Sequence, residues 1–154
     1  MALKGFSHIG ICVRDLDVST RFYIEVLGFE VMFTVAFDGE FAATMERAGM
    51  FTSRMMRRDD LRIELLWWPD DQATGDGVRR PMNATGLTHL AFRVDTIDEL
   101  YDIARRAGGQ AWPETLTTVP GHGVGGGDLQ NVYVTDPDGT RIECMAGTPD
   151  LAAM

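Results

Sequence analysis

Two histidines and two glutamates stand in matching apolar contexts. His8 lies in "SHIGICV" (7–13) and His89 in "THLAFRV" (88–94), while Glu64 lies in "RIELLWW" (62–68) and Glu143 in "RIECM" (141–145). Side chains alternate between the two faces of a strand. Read that way, Ile9, Ile11 and Val13 oppose His8, Gly10 and Cys12, and Leu90, Phe92 and Val94 oppose His89, Ala91 and Arg93. Likewise Ile63, Leu65 and Trp67 oppose Arg62, Glu64, Leu66 and Trp68, and Ile142 and Cys144 oppose Arg141, Glu143 and Met145. All four polar groups therefore leave the faces opposite the apolar cores. A carboxylate on a mostly apolar strand is costly to bury unpaired, and two near each other are worse unless a cation neutralises them. Two imidazoles with two carboxylates suit one borderline divalent ion such as Ni, Co, Zn, Mn or Fe. If the sheets curve into a trough, His8, Glu64, His89 and Glu143 can converge on it. Separate ion pairs with Arg62, Arg93 and Arg141 are the competing reading, but such pairs have no reason to recur at separations of 56 and 54 residues.

The elements that must position these groups are also written twice. A shift of 81 residues puts His8 on His89, Val13 on Val94, Leu16 on Ile97, Asp17 on Asp98 and Gly28 on Gly109. Each copy predicts a strand (6–13; 87–94) and then a helix (17–27; 97–107) stopped by Gly28 or Gly108. Thr96 and Glu99 read as a capping box, and Phe22, Val26, Ile97, Leu100, Ile103 and Ala104 recur at helical spacing. Further strands are expected at 29–37, 50–57 and 61–68, with a short helix inserted at 40–48. In the second copy they are expected at 110–118, 129–135 and 140–146, the last two joined by the turn "DPDG". The fold class is therefore α+β: two tandem βαβββ modules, 6–68 and 86–146, within one 1–154 domain. Stretch 69–85, rich in Asp, Gly, Arg and Pro, reads as the linker.

Bulk properties narrow the function classes. With 154 residues, 45% apolar and 24% charged, the chain has the balance of a folded domain. A net charge of −9 excludes nucleic acid as the expected partner, since that binding needs clustered Lys and Arg. No apolar run approaches the roughly 20 residues of a membrane helix. No basic segment followed by an apolar h-region marks a secretory signal. Cys12 and Cys144 fit no zinc knuckle or redox pair and are expected to be buried free thiols in a reducing, cytoplasmic setting.

"SHIGICVRDLDVSTRFYIEVLGFEV", "IELLWWP", "GLTHLAFRVDTIDEL" and "DPDGTRIECM" together resemble the vicinal oxygen chelate superfamily, over roughly residues 6 to 146. That superfamily includes glyoxalase I, methylmalonyl-CoA epimerase, extradiol dioxygenases and small resistance proteins. The resemblance implies a curved sheet cup around one divalent metal, with ligands at His8, Glu64, His89 and Glu143. It also implies pairing of modules within a chain or across a dimer, so a homodimer is expected. A carboxylate at Glu64 favours the lyase and isomerase members. The implied reaction is proton abstraction next to a carbonyl through a metal-stabilised enediolate, with Glu143 as base and Glu64 as its symmetric alternative.

The alternatives are an Fe(II) ring-cleaving dioxygenase using His8, His89 and Glu143, and a binding or resistance protein for a small hydrophobic molecule. Glyoxalase I members often carry arginine where this chain has Cys12, and the epimerase acid on the strand corresponding to 50–57 is missing. Neither a glutathione nor a coenzyme A conjugate is therefore the expected substrate. Trp68 is expected to line an apolar wall suited to a hydrophobic or aromatic small molecule. Arg93, Arg141 and His122 are candidate substrate contacts, as is Cys12. The glycine-rich stretch 119–130 suits a mobile flap.

Overall fold

A computed structural model describes residues 2–47, 49–69 and 73–149. Ala48 of the expected inserted helix and residues 70–72 of the expected linker lie outside the described residues. The chain divides into two compact units, Met1–Asp76 and Gly77–Met154, each built around a four-stranded mixed sheet.

The first unit runs β1 (Ile9–Val13), α1 (Leu16–Glu25), β2 (Glu30–Phe37), α2 (Gly39–Thr44), β3 (Phe51–Arg58) and β4 (Leu61–Trp67). The second runs β5 (Leu90–Val94), α3 (Leu100–Arg106), β6 (Gln110–Val119), a 3₁₀ turn (Val124–Gly126), β7 (Leu129–Thr135) and β8 (Arg141–Ala146). Strand order is β1-β4-β3-β2 in one sheet and β5-β8-β7-β6 in the other. In each, the first and last strands of the module pair in parallel and the remaining pairs are antiparallel. These are the two tandem βαβββ modules that the repeat predicts.

One face of each sheet is buried by its own helix. In the first unit Val13, Phe22, Tyr23, Leu27, Met56, Ile63 and Leu65 are buried, with Phe22–Tyr23 and Tyr23–Phe29 packed edge to face. Burial of each such large side chain contributes about 1.5–3 kcal/mol. Arg54 on β3 donates to Asp17 and Thr20 of α1, tying helix to sheet. In the second unit Leu90, Ile97, Leu100, Ala104, Val132, Val134, Ile142 and Cys144 form the core beneath α3.

The helices stop as their glycines predict. Gly108 has φ +91°, and the amides of Gly108 and Gly109 donate to Arg105 and Ala104, a Schellman closure. Gly28, at φ +67°, ends α1 with a wider turn in which the Phe29 amide reaches Tyr23.

The starts differ. Asp15 caps α1 by accepting from the amides of Asp17 and Val18. The expected capping box at Thr96 and Glu99 does not form, because the chain makes a separate turn before α3 begins at Leu100. The Thr96 hydroxyl accepts from Asp98, and Glu99 occupies the N-cap position with no side-chain bond. Replacing Asp15 by Ala should therefore cost about 1 kcal/mol in urea unfolding, the usual value of a lost N-cap, and Thr96→Ala less than about 0.5 kcal/mol.

Candidate functional site

His8 and His89 each stand one residue before the strand that was expected to contain them, β1 and β5. The register explains how each still meets its glutamate. Gly10 pairs with Glu64 across the parallel β1–β4 ladder, and Ala91 pairs with Glu143 across β5–β8. Each histidine lies two residues earlier on the same face as that small residue. Gly10 and Ala91 put little or no side chain between each imidazole and its carboxylate, which the imidazole reaches from two residues earlier on the strand. Nε2 of His8 lies 3.1 Å from Oε2 of Glu64, and Nε2 of His89 lies 3.1 Å from Oε2 of Glu143.

A second set of hydroxyls completes each pair. Ser7 Oγ is 2.9 Å from His8 Nδ1, and Thr88 Oγ1 is 2.9 Å from His89 Nδ1. Such a bond orients the ring and settles which nitrogen is left for a ligand. The remaining carboxylate oxygens are also bound. Ser53 donates to Glu64 Oε1 at 2.5 Å, and Tyr133 donates to Glu143 Oε1 at 3.3 Å. Tyr133 faces Glu143 directly on the β7–β8 ladder, whereas Ser53 faces Leu66, two residues along from Glu64. Burial, with the charge of Glu143 and the bond to it, raises the Tyr133 pKa, so its hydroxyl stays a donor through neutral pH.

The repeated hydroxyl before each histidine is visible in the sequence. Ser53 and Tyr133 occupy different ladder positions and follow no repeat. Among the described residues, neither glutamate pairs with Arg62, Arg93 or Arg141.

Each pair suits a divalent cation. Two ligands about 2.1 Å from an ion and at right angles around it are about 3 Å apart, which is the separation of Nε2 and Oε2 here. A ligating imidazole with its second nitrogen hydrogen-bonded, beside a carboxylate that is itself hydrogen-bonded, is the usual outer arrangement of metal sites. By itself each unit offers two such donors.

The other expected site residues are placed as follows. Cys12 is exposed on the face of Gly10 and His8 rather than buried, because the side chains that bury β1 belong to its opposite face. Cys144 is buried, and burial together with the Glu143 charge pushes its thiol up to about 12. Trp68 follows β4 and is 8% exposed, stacked on Phe51 at 5.6 Å. Phe51 stacks in turn on Phe37, and Phe37 on Phe41 of α2. Leu66, Trp68, Phe51 and Ala42 thus form an apolar cluster on the Glu64 face, which occupies the Trp68 indole in packing.

Arg93 is exposed on β5. Arg141 is buried, donates to the Arg80 carbonyl and to Met82 Sδ, and lies over the Tyr133 ring. Burial and the neighbouring Arg79 charge lower its pKa.

The glycine-rich stretch is a bonded loop rather than an open flap. The Gly123 amide donates to Gly127, Val124 to Gly147, and Gly121 to the Asp128 carboxylate. His122 is exposed, with Nδ1 bonded to the Pro120 carbonyl of the same loop.

Comparison with known proteins adds four findings. The family model described as Glyoxalase/Bleomycin resistance protein/Dioxygenase superfamily matches residues 5–144. A lactoylglutathione lyase of Haemophilus influenzae is 29% identical over 149 residues, covering 88% of this chain and 87% of that protein. Among solved structures, a glyoxalase family protein from Bacillus cereus superposes with a TM-score of 0.77 at 22% identity, over 97% of both chains. The fosfomycin resistance protein FosX of Listeria monocytogenes, in complex with Mn(II) and a dihydroxypropylphosphonic acid, superposes with a TM-score of 0.62 at 19% identity, over 99% of this chain and 100% of that one.

The contrast between the two thiols is directly measurable. Iodoacetamide at pH 8 should alkylate Cys12 and leave Cys144 unmodified until denaturant is added, as read by peptide mass spectrometry. Equal labelling of both in the folded protein would contradict the burial of Cys144.

Proposed function

The chain belongs to the glyoxalase/bleomycin resistance protein/dioxygenase superfamily, and from that premise we propose that it is a divalent-metal-dependent lyase or isomerase of the glyoxalase type, acting on a carbon acid next to a carbonyl. The observation that carries this reading is the duplicated pair: in each module a histidine and a glutamate meet at 3.1 Å, and both residues are oriented by a hydroxyl. On this reading His8, Glu64, His89 and Glu143 hold one ion in a cup, the second pair coming from the other module of the same chain or of a second copy in a homodimer. The likeness to a lactoylglutathione lyase and the Mn(II) of FosX support the metal and the reaction class.

A divalent ion held there would supply Lewis-acid polarisation of the substrate carbonyl. The protein's own groups do the rest. Glu143 is the base, because its outer oxygen is held by a long 3.3 Å bond from Tyr133, whereas Ser53 grips Glu64 at 2.5 Å. A carboxylate less tightly held turns more readily towards a C–H bond and returns the proton at the neighbouring carbon. Tyr133, kept protonated, stabilises the carboxylate as it takes up and gives back charge. Glu64 remains fixed, which also separates this site from a two-histidine, one-carboxylate oxygenase arrangement. The exposed thiol of Cys12 and the apolar cluster of α2 border the His8 and Glu64 half and suit a partly hydrophobic small molecule.

Chelator-treated protein should take up about one equivalent of Mn, Co, Ni or Zn per site by calorimetry. His8→Ala or His89→Ala should lower that affinity at least tenfold, the scale on which metal sites respond to altered coordination. With an α-hydroxycarbonyl compound in D2O, NMR should show exchange of the α-proton that Glu143→Gln abolishes and Ser53→Ala only weakens. Failure to bind any divalent ion would end the proposal. Oxygen consumption with catechols would move it to the dioxygenase class.

A further inference from the structure

The second unit holds two arginines that form no ion pair with a carboxylate among the described residues. Arg141, at the start of β8, is 8% exposed. A guanidinium offers five N–H donors. Arg141 directs one at the Arg80 carbonyl and one at the thioether of Met82, a weak acceptor, while its buried Nε has no hydrogen-bond partner among the described residues. Arg79 is half-buried with its guanidinium 3.8 Å from the centroid of the Trp112 ring. Among the described residues its guanidinium forms no hydrogen bond or ion pair.

The two cations are neighbours by register. Arg141 lies over Tyr133, Arg79 lies over Trp112, and Trp112 pairs with Tyr133 across β6–β7. Two guanidiniums are thus held on adjacent aromatic rings. Glu143, two residues after Arg141 on the same face of β8, has its two oxygens engaged by His89 and Tyr133. Buried charge without a counter-charge is costly, and a second like charge beside it adds repulsion. In a chain of net charge −9 that arrangement needs a physical reason. Aromatic stacking leaves the rim N–H groups of a guanidinium available, and paired arginines are suited to the oxygens of carboxylate or phosphate.

We infer that Arg79 and Arg141, stacked on Trp112 and Tyr133, form a binding site for the oxyanion of a small-molecule ligand. Residues 77–85 build part of this site: Arg80 and Met82 hold Arg141, and Gly139 has no room for a side chain because Gly77 approaches it, so that a Cβ there would lie 2.7 Å from the Gly77 carbonyl oxygen. Tyr133 and Trp112 lie one and two strands from Glu143, so the oxyanion sits about 5–10 Å from that carboxylate. A substrate using both would carry its negative group at about that distance from the reacting carbon, a corollary that rests on the proposed function.

The test uses full-length, chelator-treated protein, so that no anion is held through a metal and the result is independent of the metal proposal. Calorimetric titration with inorganic phosphate, and separately with succinate, at constant ionic strength in chloride, should show saturable binding of at least one of them. Arg79→Gln, which removes the less buried cation, should weaken that binding at least tenfold with the circular dichroism spectrum unchanged. Arg141→Lys, which keeps the charge and loses the fork, should weaken it by a smaller factor. Absence of saturable binding to both anions, or an affinity within twofold of the original in Arg79→Gln, would overturn the inference.

Discussion

Parallel pairing of the first and last strands of each module is the constraint from which the candidate site follows. Histidine and glutamate are far apart in sequence, and only the β1–β4 and β5–β8 ladders bring them within reach. A parallel pair needs a long crossover, and here the helix and two further strands provide it. The same crossover packs α1 or α3 on one face of the sheet, which leaves the opposite face for the polar pair. A one-residue slip in either ladder would move the glutamate to the helix side, where an apolar core would have to accept a carboxylate. Core and site therefore share one register, and each is a reason for the other to be held.

The histidine–glutamate pairs are stabilised by hydroxyls drawn from wherever the ladder offers one. Ser7 and Thr88 precede the histidines and arise from local sequence. Ser53 and Tyr133 come from the neighbouring strands and from different ladder positions. A partly buried carboxylate needs its lone pairs satisfied, but any donor at the right distance serves. The duplicated ligands can thus stay alike while their supports diverge. That divergence gives the two glutamates unequal freedom, which is a physical basis for dividing the roles of base and fixed ligand between them.

The two units also differ in what surrounds the pair. In the first, α2 inserts between β2 and β3 and builds the stack Trp68–Phe51–Phe37–Phe41, so the Glu64 face is apolar. In the second, a single 3₁₀ turn (Val124–Gly126) stands at the equivalent place. The face carries Tyr133, Trp112, Arg79 and Arg141, and the segment following Asp76 is folded onto it. Duplicated architecture is here combined with opposite chemistry, apolar in one half and cationic in the other.

The repeat, the strand faces and the glycine stops were legible in the sequence because they depend on local periodicity and on backbone conformations that few residues adopt. These sufficed for two βαβββ modules and for the choice of His8, Glu64, His89 and Glu143 as a matched set. What could not be read depended on which strands are neighbours. Ser53 and Tyr133 are unremarkable until β3 lies beside β4 and β7 beside β8. Cys12 reads as buried until the apolar side of β1 is turned towards the helix. Trp68 reads as an open wall until Phe51 of β3 and Ala42 of α2 are found packed against it, and Arg141 reads as an ion-pairing residue until it is found buried against Tyr133 with no ion pair among the described residues. Thr96 and Glu99 match a capping box, yet an intervening turn delays α3. Sequence by itself determined the periodic features, since each is decided within a few residues of chain. Tertiary structure decided burial, hydrogen-bond partners and charge pairing, because these depend on distances between residues that the chain separates and only the folded sheets bring together.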